Sequence, residues 1–251
     1  MRDEQQQRLD RIVEWMYTVA DPWMRDRSSV QPQAGSDLAE DDTYGLAVSP
    51  PPHRGIVMAL DHLGAVVDTM VTGPLKRLNP HFTVLRTALV AGTRVCWLLD
   101  SDMSDERRLR AIQYRFENLE EQRVALTDFS DIPVADDQGE TLAESLEIIA
   151  MERRELESRA LELGVNKLSR PLSTTKMLKS LVDLTTPDGT GMMHLWRTGS
   201  ASAHGHYWAD DLRDNPATFN HEWFPPVIQG TCLMISRAMK LHHKRATRRS
   251  A

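Results

Sequence analysis

The sequence predicts an all-α protein, a helical bundle of about six to eight helices. Three observations point there. Apolar residues recur at three- and four-residue spacing along most of the 251 residues, and no useful stretch alternates in the two-residue period of a strand. Pro, Gly, Ser and Thr stand where those helical periods begin and end. With 41% hydrophobic and 26% charged residues, the chain has the composition of a globular protein able to bury a sizeable core.

Leu9, Ile12, Val13 and Met16 make one apolar stripe on a charged background, so residues 1–24 form an N-terminal amphipathic helix. Residues 25–52 collect Ser, Gln, Asp, Gly and the run Ser49-Pro50-Pro51-Pro52, which predicts a loop or linker with the acidic cluster Glu40-Asp41-Asp42 solvated. A helical bundle domain is expected over 53–244. Its first helix covers about His53 to Val71, buries Leu60, Leu63, Val66, Val67 and Met70, and stops at Gly73-Pro74. The next runs from Pro80 to Leu99, carrying Leu85, Leu89, Val95 and Trp97. Arg86 and Arg94 interrupt its apolar run, which makes it a core helix and not a membrane span.

Ser104, with Asp105 and Glu106 behind it, caps a helix that continues to Val124 through Leu109, Ile112, Phe116 and Leu119. Thr127 to Gly139 is a connection. The helix from Thr141 to Leu163 sets Leu142, Leu146, Ile149 and Leu156 against Glu152-Arg153-Arg154-Glu155, a solvated face. A short helix over Thr174–Leu184 is broken by Pro187-Asp188-Gly189, and another spans Gly191–Ala203. Pro225-Pro226 starts the last helix, with Val227, Ile228, Leu233, Met234, Met239 and Leu241 apolar. Residues 245–251 form a basic tail, and Lys240 to Arg249 fits a disordered solubilising end better than a nucleic-acid contact.

Several function classes lose support. Met1-Arg2-Asp3-Glu4 opens a polar segment without an apolar stretch behind it, so no secretory signal is visible and a cytoplasmic protein without membrane partners is expected. Cys96 and Cys232, the only cysteines, sit in apolar helical patterns and are expected as buried, reduced thiols. A net charge of −6 opposes a globally basic coat but leaves room for a local phosphate-binding patch. Gly189-Thr190-Gly191 has neither the lysine nor the preceding strand of a phosphate loop. His204 and His206, even with His194, His221 or Cys232, match no zinc spacing, and His221-Glu222 lacks the second histidine of a metalloprotease helix. No metal or other cofactor is expected.

The segment Trp196-Arg197-Thr198-Gly199-Ser200-Ala201-Ser202-Ala203-His204-Gly205 carries the most functional information. Seven residues are close to two helical turns, so Arg197 and His204 project within about 20° of each other. Gly205 suits the left-handed position beyond a helix, which puts His204 in the last turn, where the helix dipole favours the imidazolium and raises its pKa. Arg197 is then a phosphate clamp and His204 a general acid or base. Ser200 lies between them. Ser200, Arg86 and His206 are candidates to support the pair or bind substrate.

Arg197 and His204, with six residues between, resemble the long form of the Arg-x(4–6)-His signature of HEPN domains, the higher eukaryote and prokaryote nucleotide-binding helical bundles. Asp61-His62-Leu63, Leu85-Arg86-Thr87-Ala88-Leu89 leading to Trp97-Leu98-Leu99, and Trp196-Arg197 to His204-Gly205 resemble the early, central and signature helices of a bacterial HEPN-like branch. The resemblance covers about His53 to Trp208. It departs at Thr198, where many members carry Asn, Asp or His, and at Val90, where relatives carry an acid. It implies a bundle that forms homodimers with the two motifs facing each other, and metal-independent ribonuclease activity on RNA in defence or toxin–antitoxin systems.

Plainer readings stand beside it. Arg197 and His204 could instead anchor a helix end, making the protein a non-catalytic helical interaction or nucleotide-binding module with a protein partner. Arg86 and Arg94 fit core-edge residues with buried stems. Trp97, Trp196 and Trp208 are expected in the core.

Overall fold

The computed structural model describes residues 2–26, 31–45, 47–73, 75, 77, 79–130 and 136–248, and among these every regular element is helical. The helices are α1 (Arg2–Trp15), α2 (Asp21–Arg25), α3 (Asp37–Asp42), α4 (Pro50–Thr72), α5 (Pro80–Leu99), α6 (Ser104–Ser130), α7 (Asp136–Glu162), α8 (Thr174–Leu181), α9 (Pro187–Ala203) and α10 (Phe224–Ala246). One π-helical turn, Met16–Ala20, joins α1 to α2. The chain divides into two compact units, 1–100 with 173–251, and 101–172, so the units do not follow the linear segments 1–24, 25–52, 53–244 and 245–251.

Two helices start earlier than expected for one reason. Pro50 opens α4 and Pro187 opens α9, because a proline at the first turn gives up a hydrogen bond that no helix makes there. The Thr186 hydroxyl caps α9 by accepting from the Gly189 amide at 3.1 Å. α6 runs on to Ser130, into the expected connection; residues 131–135 of that connection, like Pro74 of the expected stop and Arg249 of the tail, lie outside the described residues.

In the larger unit, α5 packs against α4, α8, α9 and α10. It is buried on nearly all sides, as a helix without a polar face must be, and Leu85, Leu89, Val95, Trp97 and Leu99 are all in the core. α4 and α5 are both long and apolar enough to cross a membrane by length and composition, and α5 spends that surface inside the bundle. Cys96 and Cys232 are free and buried, and burial pushes both thiols up to about 12. Of the three tryptophans expected in the core, Trp97 is buried and Trp196 half-buried, whereas Trp208 is exposed, against expectation.

The expected linker is partly built into this unit. Ser36 caps α3 by accepting from the Ala39 amide at 3.3 Å, and Leu38 is fully buried. The acidic cluster is not simply solvated: Asp41 is buried, and Asp42 accepts from the Val48 amide at 2.6 Å, the Ser49 amide at 3.0 Å and the Ser49 hydroxyl at 2.6 Å. Arg245 and Ala246 at the end of α10 are likewise built into the unit. Arg245, expected in a basic tail, is 0% exposed and donates to the Asp37 carboxylate at 2.6 Å and to the Leu99 carbonyl at 3.3 Å. The Gln33 amide donates to the Ala246 carbonyl at 2.8 Å. Polar composition alone conceals such internal partners.

A ring cluster joins α2, α4 and α10. Trp23 lies 5.3 Å from His53 and 6.1 Å from His242, and the two histidines are 6.0 Å apart. His242 is 3% exposed, and burial, with like charges on His53 and His243 behind it, lowers its pKa to about 4. Burial also lowers His53.

The smaller unit is built from α6 and α7, which pack on each other. Leu119, Ile149, Leu156 and Ala160 are buried, and Arg115–Glu152 at 3.1 Å and Arg153–Glu120 at 2.8 Å tie the helices together. The arginines and glutamates read from sequence as a solvated face are therefore partly engaged in inter-helix pairs.

Candidate functional site

The site is organised by α9 and the loop after it. α9 lies close against α5 at Gly199, where a Cβ would come within 2.8 Å of both the Phe82 carbonyl oxygen and the Arg86 Cβ. Its C-terminus closes in a Schellman motif: the Gly205 amide donates to Ser202 O at 3.3 Å and the His206 amide to Ala201 O at 2.8 Å, with Gly205 at φ 69°. His204 occupies the C-cap, as the sequence predicts. The motif fixes the backbone on both sides of Gly205, and the His204 and His206 rings sit 6.2 Å apart.

Arg197 and His204 are exposed, and Ser200 between them is half-buried. Arg197 makes no ion pair or side-chain hydrogen bond among the described residues, so neither member of the pair anchors the helix end to a carboxylate. Arg86 is placed differently. It is half-buried on α5, its guanidinium lies 4.5 Å over the Trp196 ring, and its buried Nε has no hydrogen-bond partner. Burial lowers its pKa. Arg86 thus packs beside the motif helix, through Trp196 rather than Arg197.

A neighbouring face of α9 lines a hollow of about 500 Å³, open solvent included, which sequence reasoning missed. His194, Thr198 and Ser202, at four-residue spacing, form one wall, and His206, Asp210 and Arg213 contribute from the loop. That stripe is turned by about 110° from the Arg197–His204 direction at 100° per residue. His194 stacks on Trp223 at 4.1 Å, and burial lowers its pKa. Thr198 donates to the His194 carbonyl at 2.9 Å, and Thr83 on α5 donates to Ser202 at 3.0 Å. The repeat His194, Thr198, Ser202 was visible in the sequence as a polar stripe; the loop residues facing it carry no spacing signal.

The loop is pinned at two points. Arg213 donates to Asp210 and Asn79, and Phe219 is a buried plug with ring contacts to Phe82 at 5.9 Å and Phe224 at 5.1 Å. Ahead of Arg213 the loop holds Tyr207 and Leu212 out to solvent, 77% and 68% exposed. Among the described residues no three His, Cys, Asp or Glu side chains gather into a metal-binding group. No family model matches the sequence, and no curated protein or solved structure is detectably similar to it.

Proposed function

We propose that this protein is an HEPN-like ribonuclease whose α9 terminus cleaves RNA phosphodiesters by attack of the ribose 2′-hydroxyl. The observation that carries the reading is the exposure of Arg197 and His204 on one face of α9, with Arg197 unpaired and His204 paired in space with His206. His206 takes the proton from the 2′-oxygen, which attacks phosphorus. The bond from phosphorus to the 5′-oxygen breaks, and His204 protonates that oxygen, leaving a 2′,3′-cyclic phosphate and a 5′-hydroxyl. Entering and leaving oxygens of an in-line displacement lie on opposite sides of phosphorus, so acid and base must straddle the phosphate, each within roughly 2.6–3.2 Å of its oxygen. Rings 6.2 Å apart leave space for that. Arg197, about 10 Å back along the helix axis, supplies charge to the phosphate or to its neighbour.

Purified protein is incubated with single-stranded RNA in chelator, beside Arg197→Ala, His204→Ala and His206→Ala. Loss of either histidine lowers cleavage by about 10²- to 10⁴-fold, the range for a proton-transfer group. Cleavage by all three variants at the wild-type rate refutes the roles. A second reading, a non-catalytic binding module, is favoured by the exposed Tyr207, Trp208 and Leu212 beside His206. RNA bound but never cut decides for it.

A further inference from the structure

We propose that the hollow beside His206 is a base-reading pocket, and that it holds the guanine of the nucleotide supplying the attacking 2′-hydroxyl. Which nucleotide enters rests on the roles given to His204 and His206; the chemistry of the pocket does not. Three side chains in the hollow keep hydrogen-bonding capacity to spare. The Asn79 side-chain oxygen accepts from Arg213, and the Asn220 side-chain oxygen accepts from the Trp223 amide at 3.1 Å. Guanidinium and backbone amide can only donate, so they fix which end of each Asn is oxygen. Both NH2 groups are left without a partner among the described residues. Asp210 accepts from Arg213 through Oδ1, and its Oδ2 has no partner among the described residues. Arg213 offsets the carboxylate charge and sets Asn79 beside Asp210, because one nitrogen, Nη2, donates to both.

The pocket thus presents a carboxylate with a donor amide next to it. A carboxylate is matched best by two parallel N–H groups. Among the RNA bases only guanine carries donors on adjacent atoms of its pairing edge, N1–H and the exocyclic N2–H, with the keto O6 beside them as acceptor. Asp210 takes the two N–H groups, and the Asn79 amide gives to O6. Adenine, cytosine and uracil each offer a single donor atom on that edge. The Trp223 ring, stacked on His194 at 4.1 Å, adds an aromatic wall of the kind on which bases stack. At about 500 Å³, open solvent included, the hollow falls in the range of small-ligand sites, roughly 300–1,000 Å³. His206 sets the register. It lines the hollow and, as the base, holds the 2′-oxygen, which only C2′ and C1′ separate from the glycosidic nitrogen. Cleavage therefore falls on the 3′ side of guanosine, and the product ends in guanosine 2′,3′-cyclic phosphate.

Calorimetric titration of the full chain with the 3′-monophosphates of guanosine, inosine, adenosine, cytidine and uridine tests the pocket. Inosine lacks only the exocyclic amino group of guanosine. Guanosine monophosphate binds tightest, and inosine monophosphate roughly 5- to 150-fold more weakly, the worth of a bidentate contact to a base. Asp210→Asn brings guanosine down to the level of inosine. Asn79→Asp, which keeps an oxygen on Arg213 but removes the NH2 donor, weakens both, since both carry O6. Equal binding of guanosine and inosine by the wild type, tighter binding of another base, or no binding at millimolar concentration overturns the proposal. So does a guanosine preference that survives in a folded Asp210→Asn. The wild-type comparison decides alone should a variant fail to fold. Mapping the ends of cleaved RNA separates this inference from the cleavage reading. Ends at guanosine 2′,3′-cyclic phosphate support both, and RNA cut without base preference overturns the pocket alone. RNA that is never cut overturns the cleavage reading, and the titration still decides the pocket.

Discussion

The histidine in the core of the Trp23–His53–His242 cluster makes the stability of this protein depend on pH in a way that can be worked out in advance. His242 is held near pKa 4 in the folded chain, whereas an unfolded histidine titrates near 6.5. The folded state thus favours the neutral ring, and the unfolded chain takes up the proton first as pH falls. Stability from this group is complete above pH 6.5, declines as pH drops toward 4 and is level below that. At 1.36 kcal/mol per unit the whole span is about 3 kcal/mol, and about 2 kcal/mol of it is lost between pH 7 and pH 5. His53, lowered by burial and by Arg54, acts in the same direction. Urea unfolding at both pH values, for wild type and His242→Phe, isolates the effect, since the carboxylates that also titrate cancel in the difference. The wild type should lose about 2 kcal/mol more than the variant. Equal losses would show that His242 is not held neutral, and the reasoning from burial would be wrong; His242→Gln repeats the comparison should Phe repack the cluster.

Two further substitutions probe how the larger unit is assembled. Asp37→Ala leaves the buried Arg245 guanidinium without the carboxylate at 2.6 Å and should cost about 3–5 kcal/mol in chemical denaturation; a loss below about 1 kcal/mol would mean the pair is dispensable. Gly199→Ala forces a methyl to within 2.8 Å of the Phe82 carbonyl. Overpacking of about 1–3 kcal/mol outweighs the better helix propensity of alanine, about 1 kcal/mol, so the melting temperature drops by a few degrees, and a rise would contradict the close approach of α9 to α5.

The helices were legible in the sequence because each buries one stripe, and stripe spacing is a local property. Leu85, Leu89, Val95 and Trp97 announce α5 without knowledge of its neighbours. Partners across the chain leave no such mark. Asp37 and Arg245 lie 208 residues apart, so a polar linker and a basic tail were the natural expectations, and both give way to a buried ion pair. Prolines misled for a different reason: Pro50 and Pro187 look like breakers, yet each fits the first turn of a helix it starts. At the site, the placement of His204 at the cap followed from Gly205 alone. The His206 ring beside it, the hollow against Thr198 and Ser202, and the Arg86–Trp196 contact needed the loop and α5 to be in place.

The larger unit is also discontinuous along the chain, and that bears on how it comes to exist. α5 is finished when residue 99 leaves the ribosome, but α10, which covers one of its sides, starts at Phe224. At roughly 5–20 residues per second, about 125 residues of further synthesis hold that apolar helix partly uncovered for some 6 to 25 seconds. The nascent chain therefore spends its most aggregation-prone interval with α4 as the shield for α5 and the charged α6–α7 pair emerging between the two halves of the core. Folding of the larger unit is a late event, set by its C-terminus, and a chain truncated before α10 should depend on chaperones in a way the full chain does not.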